Sequence, residues 1–355
     1  MPEFKRQIPA ELYRKILDVI WKAKSLAILP HTNPDADALG SSFAFLRMLR
    51  TANKEAMVYT DDAAPAYLSF LCEDYMIYDD AGRVKRVTYG EPEPVEEPVI
   101  GPVDVCICLD CGDIDRIGAR RAIMDSASVT INIDHHVSNT YFCDINYVWG
   151  GLSSTGEVIC PFMECLAGDE DEPLDPRTAT MLYAAIAGDT GGFRFSNTTS
   201  VTMRLAARLI GMGADAVKVS KEIFDTDPIE IIRLKGLLAQ RIELFENGAV
   251  ALTRLYNKDC EQFGLRVDDV DNIVDIARRV KGVEVAISMK ESARGIKVSM
   301  RSEGRVDVAQ IAKMLGGGGH VRAAGVTVDA DMDSLLALIV EQVRRQLSME
   351  TVRIN

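Results

Sequence analysis

Over the first two-thirds of the chain, short apolar β-rich runs alternate with amphipathic stretches of helical spacing. That alternation predicts an α/β fold: a mainly parallel sheet flanked by helices on both faces. Strands are expected at 25–30, 57–60, 103–109 and 128–133, and helices near 38–50, 153–166, 176–187, 200–212 and 227–245. The proline- and glutamate-rich stretch EPEPVEEPVIG at 91–101 reads as a solvated acidic loop. After about residue 246 the pattern restarts: a strand at 249–256, a helix near 268–280, a β-hairpin from 283–289 and 295–300, a helix at 306–315, a further strand after GGGGH, and a last helix at 332–347. The expected organisation is therefore a first domain over 1–226, a helical linker over 227–246 and a smaller α/β domain over 247–355.

Composition narrows the partners. With 355 residues, 47% hydrophobic and 26% charged, the chain is long enough for two domains, each with its own core. A formal net charge of −13 argues against a long basic groove for extended nucleic acid, because such binding neutralises many phosphates. A small anionic substrate would need local cations, and divalent ions on carboxylates supply them. The N-terminal stretch carries charges throughout and lacks the apolar core of a signal peptide, and no run approaches 18 apolar residues, so a cytoplasmic protein without membrane contact is expected. Cys106, Cys108 and Cys111 sit in or beside one apolar run. Buried thiols in a reducing compartment are the expectation, ahead of disulfides or a zinc site.

Acids and histidines concentrate in four segments where strands or helices of the first domain end: HTNPDADALGSS (31–42), LDCGDIDRIG (109–118), NIDHHVSN (132–139) and GDTGGFRF (188–195). Ligands of open parallel sheets bind beyond the carboxyl ends of strands, so these segments could converge on one crevice. Asp35 and Asp37, two residues apart in a strand-to-helix turn, suit two neighbouring cations and equally suit helix capping. Asp110 and Asp189 each read as site acids or as turn residues. His135 and His136, adjacent after a strand, are expected to point in opposite directions and do different work, with Asp134 orienting an imidazole. Three of the four histidines, His31, His135 and His136, fall in these segments, and the fourth, His320, follows a glycine run. Carboxylates mixed with a few imidazoles suit Mn²⁺ or Mg²⁺. Two such ions roughly 3.5–4 Å apart can activate a water between them and stabilise attacking and leaving oxygens, which fits phosphoryl transfer. Gly316, Gly317, Gly318 and Gly319 offer backbone N–H groups that could cradle an anion, with His320, Arg301 and Arg322 as further donors; a plain flexible turn is the other reading.

Taken together, these segments resemble the motifs of the DHH/DHHA1 phosphoesterases, which include nanoRNases, pAp phosphatases, cyclic-dinucleotide hydrolases and, more distantly, RecJ-type exonucleases. HTNPDADALGS, LDCGDIDRIG, NIDHHVSN and GDTGGFRF resemble the four motifs of the catalytic domain, and SMRS with VDVAQIAKMLGGGGHVRAAG resembles the DHHA1 substrate-binding region. The departures are peripheral: Ala36 stands where glycine is often found, and the stretch at 91–101 is long. The resemblance implies one metal on His31, Asp35 and Asp110, and another on Asp37, Asp110, His135 and Asp189, with His136 at the scissile phosphate. Arg301, the glycines 316–319 and His320 would hold the substrate's far end. It implies Mn²⁺ ahead of Mg²⁺ or Co²⁺, and a substrate that is a small nucleotide or an oligonucleotide of about two to five residues. The expected activity is release of 5′-mononucleotides from short oligoribonucleotides, removal of the 3′-phosphate of pAp, or both. Hydrolysis of cyclic di-AMP or a linear dinucleotide is the alternative, and an apolar helix face leaves a homodimer open.

Overall fold

Runs such as LAIL and VCICL, apolar at consecutive positions, suit strands covered on both faces, and the computed structural model places both at the centre of one sheet. It describes residues 10–91, 93–98, 101–166, 174–267 and 270–354. The chain divides into two units, Met1–Thr226 and Asp227–Asn355.

The first unit is built on eight strands: β1 (Ser25–Pro30), β2 (Glu55–Thr60), β3 (Tyr75–Tyr78), β4 (Val84–Val87), β5 (Val95–Glu97), β6 (Val105–Leu109), β7 (Val129–Asp134) and β8 (Ile145–Val148). Their order is β5-β4-β3-β2-β1-β6-β7-β8. All neighbours are parallel except β3-β4 and β4-β5. Side chains alternate along β6, so Val105, Ile107 and Leu109 enter a core with Phe43, Phe45, Ile133, Phe162 and Leu182. Cys106 and Cys108 face the other layer with Leu29, Cys111, Ile117 and Ile123. The thiols are thus apolar packing groups, as the sequence suggested.

Several elements depart from expectation. The acidic stretch contributes β5, which pairs antiparallel with β4 and is tied to it by an Arg86–Glu97 ion pair at 2.8 Å; residues 92 and 99–100 lie outside the described residues. The helix expected over 153–166 is Thr155–Ile159, then a tight turn at Cys160–Phe162, then Met163–Leu166. Pro161 supplies no amide hydrogen to continue the first segment.

In the second unit the helix expected over 227–245 is Ile229–Gln240. Residues beyond it form β9 (Glu243–Phe245), which turns through Glu246–Gly248 into β10 (Val250–Leu255). With β11 (Val285–Ser292), β12 (Gly295–Ser302), β13 (Gly318–His320) and β14 (Ala323–Val328) they make a sheet ordered β13-β14-β12-β11-β10-β9. The hairpin is present as β11-β12. Helices Val308–Met314 and Met332–Ile354 cover one face through Ile311, Leu335, Ile339 and Val343. The helix expected from 268 spans only Val274–Arg278, because Asn272 adopts a left-handed conformation (φ 55°) just before it; residues 268–269 lie outside the described residues. No helix among the described residues is long and apolar enough to cross a membrane.

Candidate metal centre

Strand order in the first sheet reverses at one place: β1, β2 and β3 step outward one way and β6, β7 and β8 the other. Loops leaving the carboxyl ends of β1 and β6 therefore diverge and leave a crevice between them. Register decides what stands there. Pro30 pairs with Leu109, and Leu109 with Ile133. The next residues, His31, Asp110 and Asp134, consequently start side by side.

Asp35 caps the helix Ala36–Thr51, its Oδ1 accepting from the amides of Asp37 (3.0 Å) and Ala38 (3.1 Å). Its other oxygen lies 3.8 Å from His31 Nε2, so capping and a site role use different atoms of one carboxylate. His31 Nδ1 donates to the Thr32 carbonyl oxygen at 2.8 Å. In the neutral ring, Nε2 then presents a lone pair to Asp35 and, at 3.6 Å, to Asp110 Oδ2.

Asp110 adopts a left-handed backbone conformation, φ 60°. Its two oxygens face different imidazoles: Oδ2 lies 3.6 Å from His31 Nε2, and Oδ1 lies 3.6 Å from His135 Nε2. Oδ1 also accepts from Thr155 Oγ1 at 2.9 Å. Around His135 Nε2 two more carboxylates gather, Asp189 Oδ2 at 3.1 Å and Asp37 Oδ2 at 3.8 Å. Asp37 is fully buried and accepts one amide per oxygen, Thr155 N at 2.6 Å and Gly156 N at 2.9 Å. Close helix contact brings these pieces together. A Cβ on Gly156 would lie 2.5 Å from Ala185 Cβ, and one on Gly188 would lie 2.8 Å from Ala36 Cβ.

The two adjacent histidines do not diverge as expected. Strand β7 ends at Asp134, so His135 and His136 lie in the following turn, with ring centroids 4.6 Å apart and both rings within 3.7 Å of Asp110 Oδ1. Their environments still differ. The His135 side chain is 5% exposed and that of His136 24%. Asp134 orients His136, Oδ1 to Nδ1 at 2.7 Å, while its Oδ2 accepts from Asn139 Nδ2 at 2.6 Å. Asn139 was not anticipated, and neither were Thr155 and Gly156, which act through main-chain or hydroxyl groups.

Charge in the site is unbalanced. Burial, together with Asp110 and Asp189, pushes the Asp37 carboxyl well above the usual range, and burial raises Asp110. Burial would lower the imidazoles, but Asp189 and the other acids hold His135 well up, and Asp35 and Asp134 raise His31 and His136. Against burial, His136 draws Asp134 down to about 2 and His31 draws Asp35 below the usual range. Within the first unit, the ion pairs of Asp35, Asp37, Asp110 and Asp189 run to imidazoles and none to Lys or Arg among the described residues. Three groups each gather ligand atoms within 4.8 Å: His31–Asp35–Asp110, Asp37–His135–Asp189, and Asp110–Asp134–His135–His136. Converging carboxylates with imidazole nitrogens and no thiolate fit divalent cations.

In the second unit, Arg301 pairs across strands with Ala323, and Ala323 with His320. Paired residues share a face, so Arg301 and His320 flank a small residue on one side of the sheet. Gly316, Gly318 and Gly319 are exposed, and two of the run's amides are already engaged. The amides of Gly316 and Gly317 close the preceding helix onto Lys313 and Ala312 carbonyls, and Gly318 and Gly319 enter β13.

Comparisons with known proteins agree with this geometry. Residues 25–186 match the DHH family N-terminal domain, and residues 247–347 match the DHHA1 domain. The bifunctional oligoribonuclease and PAP phosphatase NrnA of Thermus thermophilus is 31% identical over 322 residues, 90% of each chain. Its Bacillus subtilis counterpart of the same name is 29% identical over 86% of this chain and 91% of the other. In fold, the crystal structure of an exopolyphosphatase-related protein from Bacteroides fragilis superposes with a TM-score of 0.82 at 23% identity, covering 96% of this chain and 98% of that one. A crevice at the sheet's reversal point, motif residues gathered around Asp110, and near full-length similarity at this level place the chain in the DHH/DHHA1 phosphoesterase family.

Proposed function

We propose that the protein hydrolyses short oligoribonucleotides, of about two to five residues, to 5′-mononucleotides, and removes the 3′-phosphate of pAp, using two divalent ions of which Mn²⁺ is the first choice ahead of Mg²⁺ or Co²⁺. One observation carries the two-ion reading: Asp110 turns one oxygen toward His31 and the other toward His135, as a carboxylate shared between two cation positions would. His31, Asp35 and Asp110 would hold one ion, and Asp37, Asp110, His135 and Asp189 the other. Ions held there lower the pKa of water and neutralise phosphate oxygens.

The chain's own groups do the rest. Asp134 fixes His136 through Nδ1 and favours its protonated form, in which Nε2 can donate to a phosphate oxygen. Thr155 Oγ1 holds the Asp110 carboxylate in the orientation that serves both sides. In the second unit, Arg301 and His320 are the groups we assign to an anionic part of the substrate. The acidic balance supports small substrates over long strands, and the apolar packing of Cys106, Cys108 and Cys111 supports a cytoplasmic setting. The names of the two relatives support the substrate choice over cyclic di-AMP. The test is a substrate panel with Mn²⁺ comparing pAp, di- to pentaribonucleotides and cyclic di-AMP, with products identified. Turnover of the cyclic dinucleotide alone, or of none, would overturn the proposal.

A further inference from the structure

One five-residue segment, Leu152 to Gly156, touches His135 and Asp37 and is tied through Asn197 to the main chain of Asp189, the third member of the His135-centred group. The Leu152 carbonyl oxygen lies 3.4 Å from His135 Nδ1. The amides of Thr155 and Gly156 grip Asp37. Asn197 Nδ2 bridges the carbonyl oxygens of Ser153 and Asp189, at 3.1 Å each, which ties the third member to the same segment. His31 and Asp35 take their partners elsewhere, from Thr32 and from the amides of Asp37 and Ala38.

The segment itself is clamped. Glu157, fully buried, accepts at Oε2 from Ser153 N (3.0 Å), Ser153 Oγ (2.5 Å) and Thr202 Oγ1 (3.2 Å). Its own amide donates to Ser154 Oγ at 3.0 Å, the cap of the helix that begins at Thr155. With Asn197 on its carbonyl oxygen and Glu157 on its amide and hydroxyl, each polar group of Ser153 is fixed by a side chain that touches no candidate ligand atom. We infer that Glu157 and Asn197 are positioning residues that set the geometry of the Asp37–His135–Asp189 cation site and act on the His31–Asp35 site less, only through the shared Asp110 that Thr155 Oγ1 holds. Partners that orient ligands in this way typically govern metal affinity by about ten- to hundredfold.

The inference rests on the two-ion reading, and calorimetry of the metal-stripped full chain titrated with Mn²⁺ separates the two. Wild type should show two binding events. In Glu157→Gln, where an NH2 replaces or abuts the acceptor that Ser153 and Thr202 need, one event should weaken by about tenfold or more while the other weakens distinctly less. Asn197→Ala should weaken the same event. Equal weakening of both events would mean a general loss of structure, and unchanged affinities would mean no role; either result overturns the inference. If Glu157→Gln does not fold, Asn197→Ala decides by the same criteria. Uptake of fewer than two ions by the wild type would overturn the two-ion reading and this inference with it.

Discussion

Replacing Asp134 by asparagine keeps the shape of the side chain and reverses half of its polarity. Asn139 Nδ2 donates to Asp134 Oδ2 at 2.6 Å and to Asn132 Oδ1 at 2.7 Å, while its own Oδ1 accepts from Tyr141 N at 2.7 Å. Asn132 is oriented in turn by the carbonyl oxygens of Cys108 and Cys111, to which its Nδ2 donates. Asn139 therefore cannot flip without losing several hydrogen bonds. The new amide must keep its oxygen toward Asn139 and turn its NH2 toward His136 Nδ1. His136 then loses the anion that favours its charged form. Asp134 is drawn from 3.8 to about 2, mainly by His136 acting against burial, a preference of about 2 kcal/mol, or about thirtyfold in rate if it is lost from the transition state. Asp134→Asn should lower kcat/KM on a dinucleotide by roughly that factor at neutral pH. Because the raised His136 pKa falls, the remaining activity should peak at lower pH than in wild type. The measurement is a pH–rate profile at saturating Mn²⁺, with thermal melts to verify folding. A variant within about twofold of wild type at every pH would refute the role given to the pair.

Metal uptake should release protons. Asp37 and Asp110 titrate above the usual carboxylate range and His135 above the usual imidazole range, so the folded apo-protein binds protons that cations must displace; Mn²⁺ affinity should rise with pH, and calorimetry in buffers of different ionisation enthalpy measures the release. By the same sign, the apo-protein binds more protons than the unfolded chain at Asp37 and Asp110. From these two groups it should lose stability as pH rises above 3.8, and added Mn²⁺ should restore it in thermal melts. Gly156→Ala puts a methyl group 2.5 Å from Ala185 Cβ and should cost about 1–3 kcal/mol in urea unfolding; unchanged stability would contradict the close packing around Asp37. Arg301→Ala and His320→Ala should each raise KM for pAp with little change in kcat, by about ten- to hundredfold if each gives a charge-assisted hydrogen bond of about 1.5–3 kcal/mol.

The parts of the fold legible in the sequence were those with a strong apolar signal. Strand β1 lies where its run predicted, and β6 and β7 differ by only one or two residues at an end. Two of the missed strands, β4 and β9, carry weak signals for physical reasons. Strand β4, VKRV, lies between β3 and the three-residue edge strand β5, with charged side chains half exposed, and β9 has two of three residues exposed. The Asn-Gly pair at 247–248, a hairpin signal, could have exposed β9, since both residues take positive φ there. At the site, acids and imidazoles at element ends announced themselves. The groups that hold them did not, because Thr155 and Gly156 act on Asp37 through amides that every residue possesses. The Ser154-to-Glu157 spacing, a capping-box pattern, was the one available hint of a helix start at that point.

The left-handed backbone at Asp110 sets function against durability. A residue with a Cβ in that region costs on the order of 1 kcal/mol that glycine would avoid. Selection for heat resistance alone would therefore favour glycine at this position and remove the carboxylate proposed for both cation sites. On that proposal, a carboxylate persists there only while cation binding outweighs the thermal stability it forgoes.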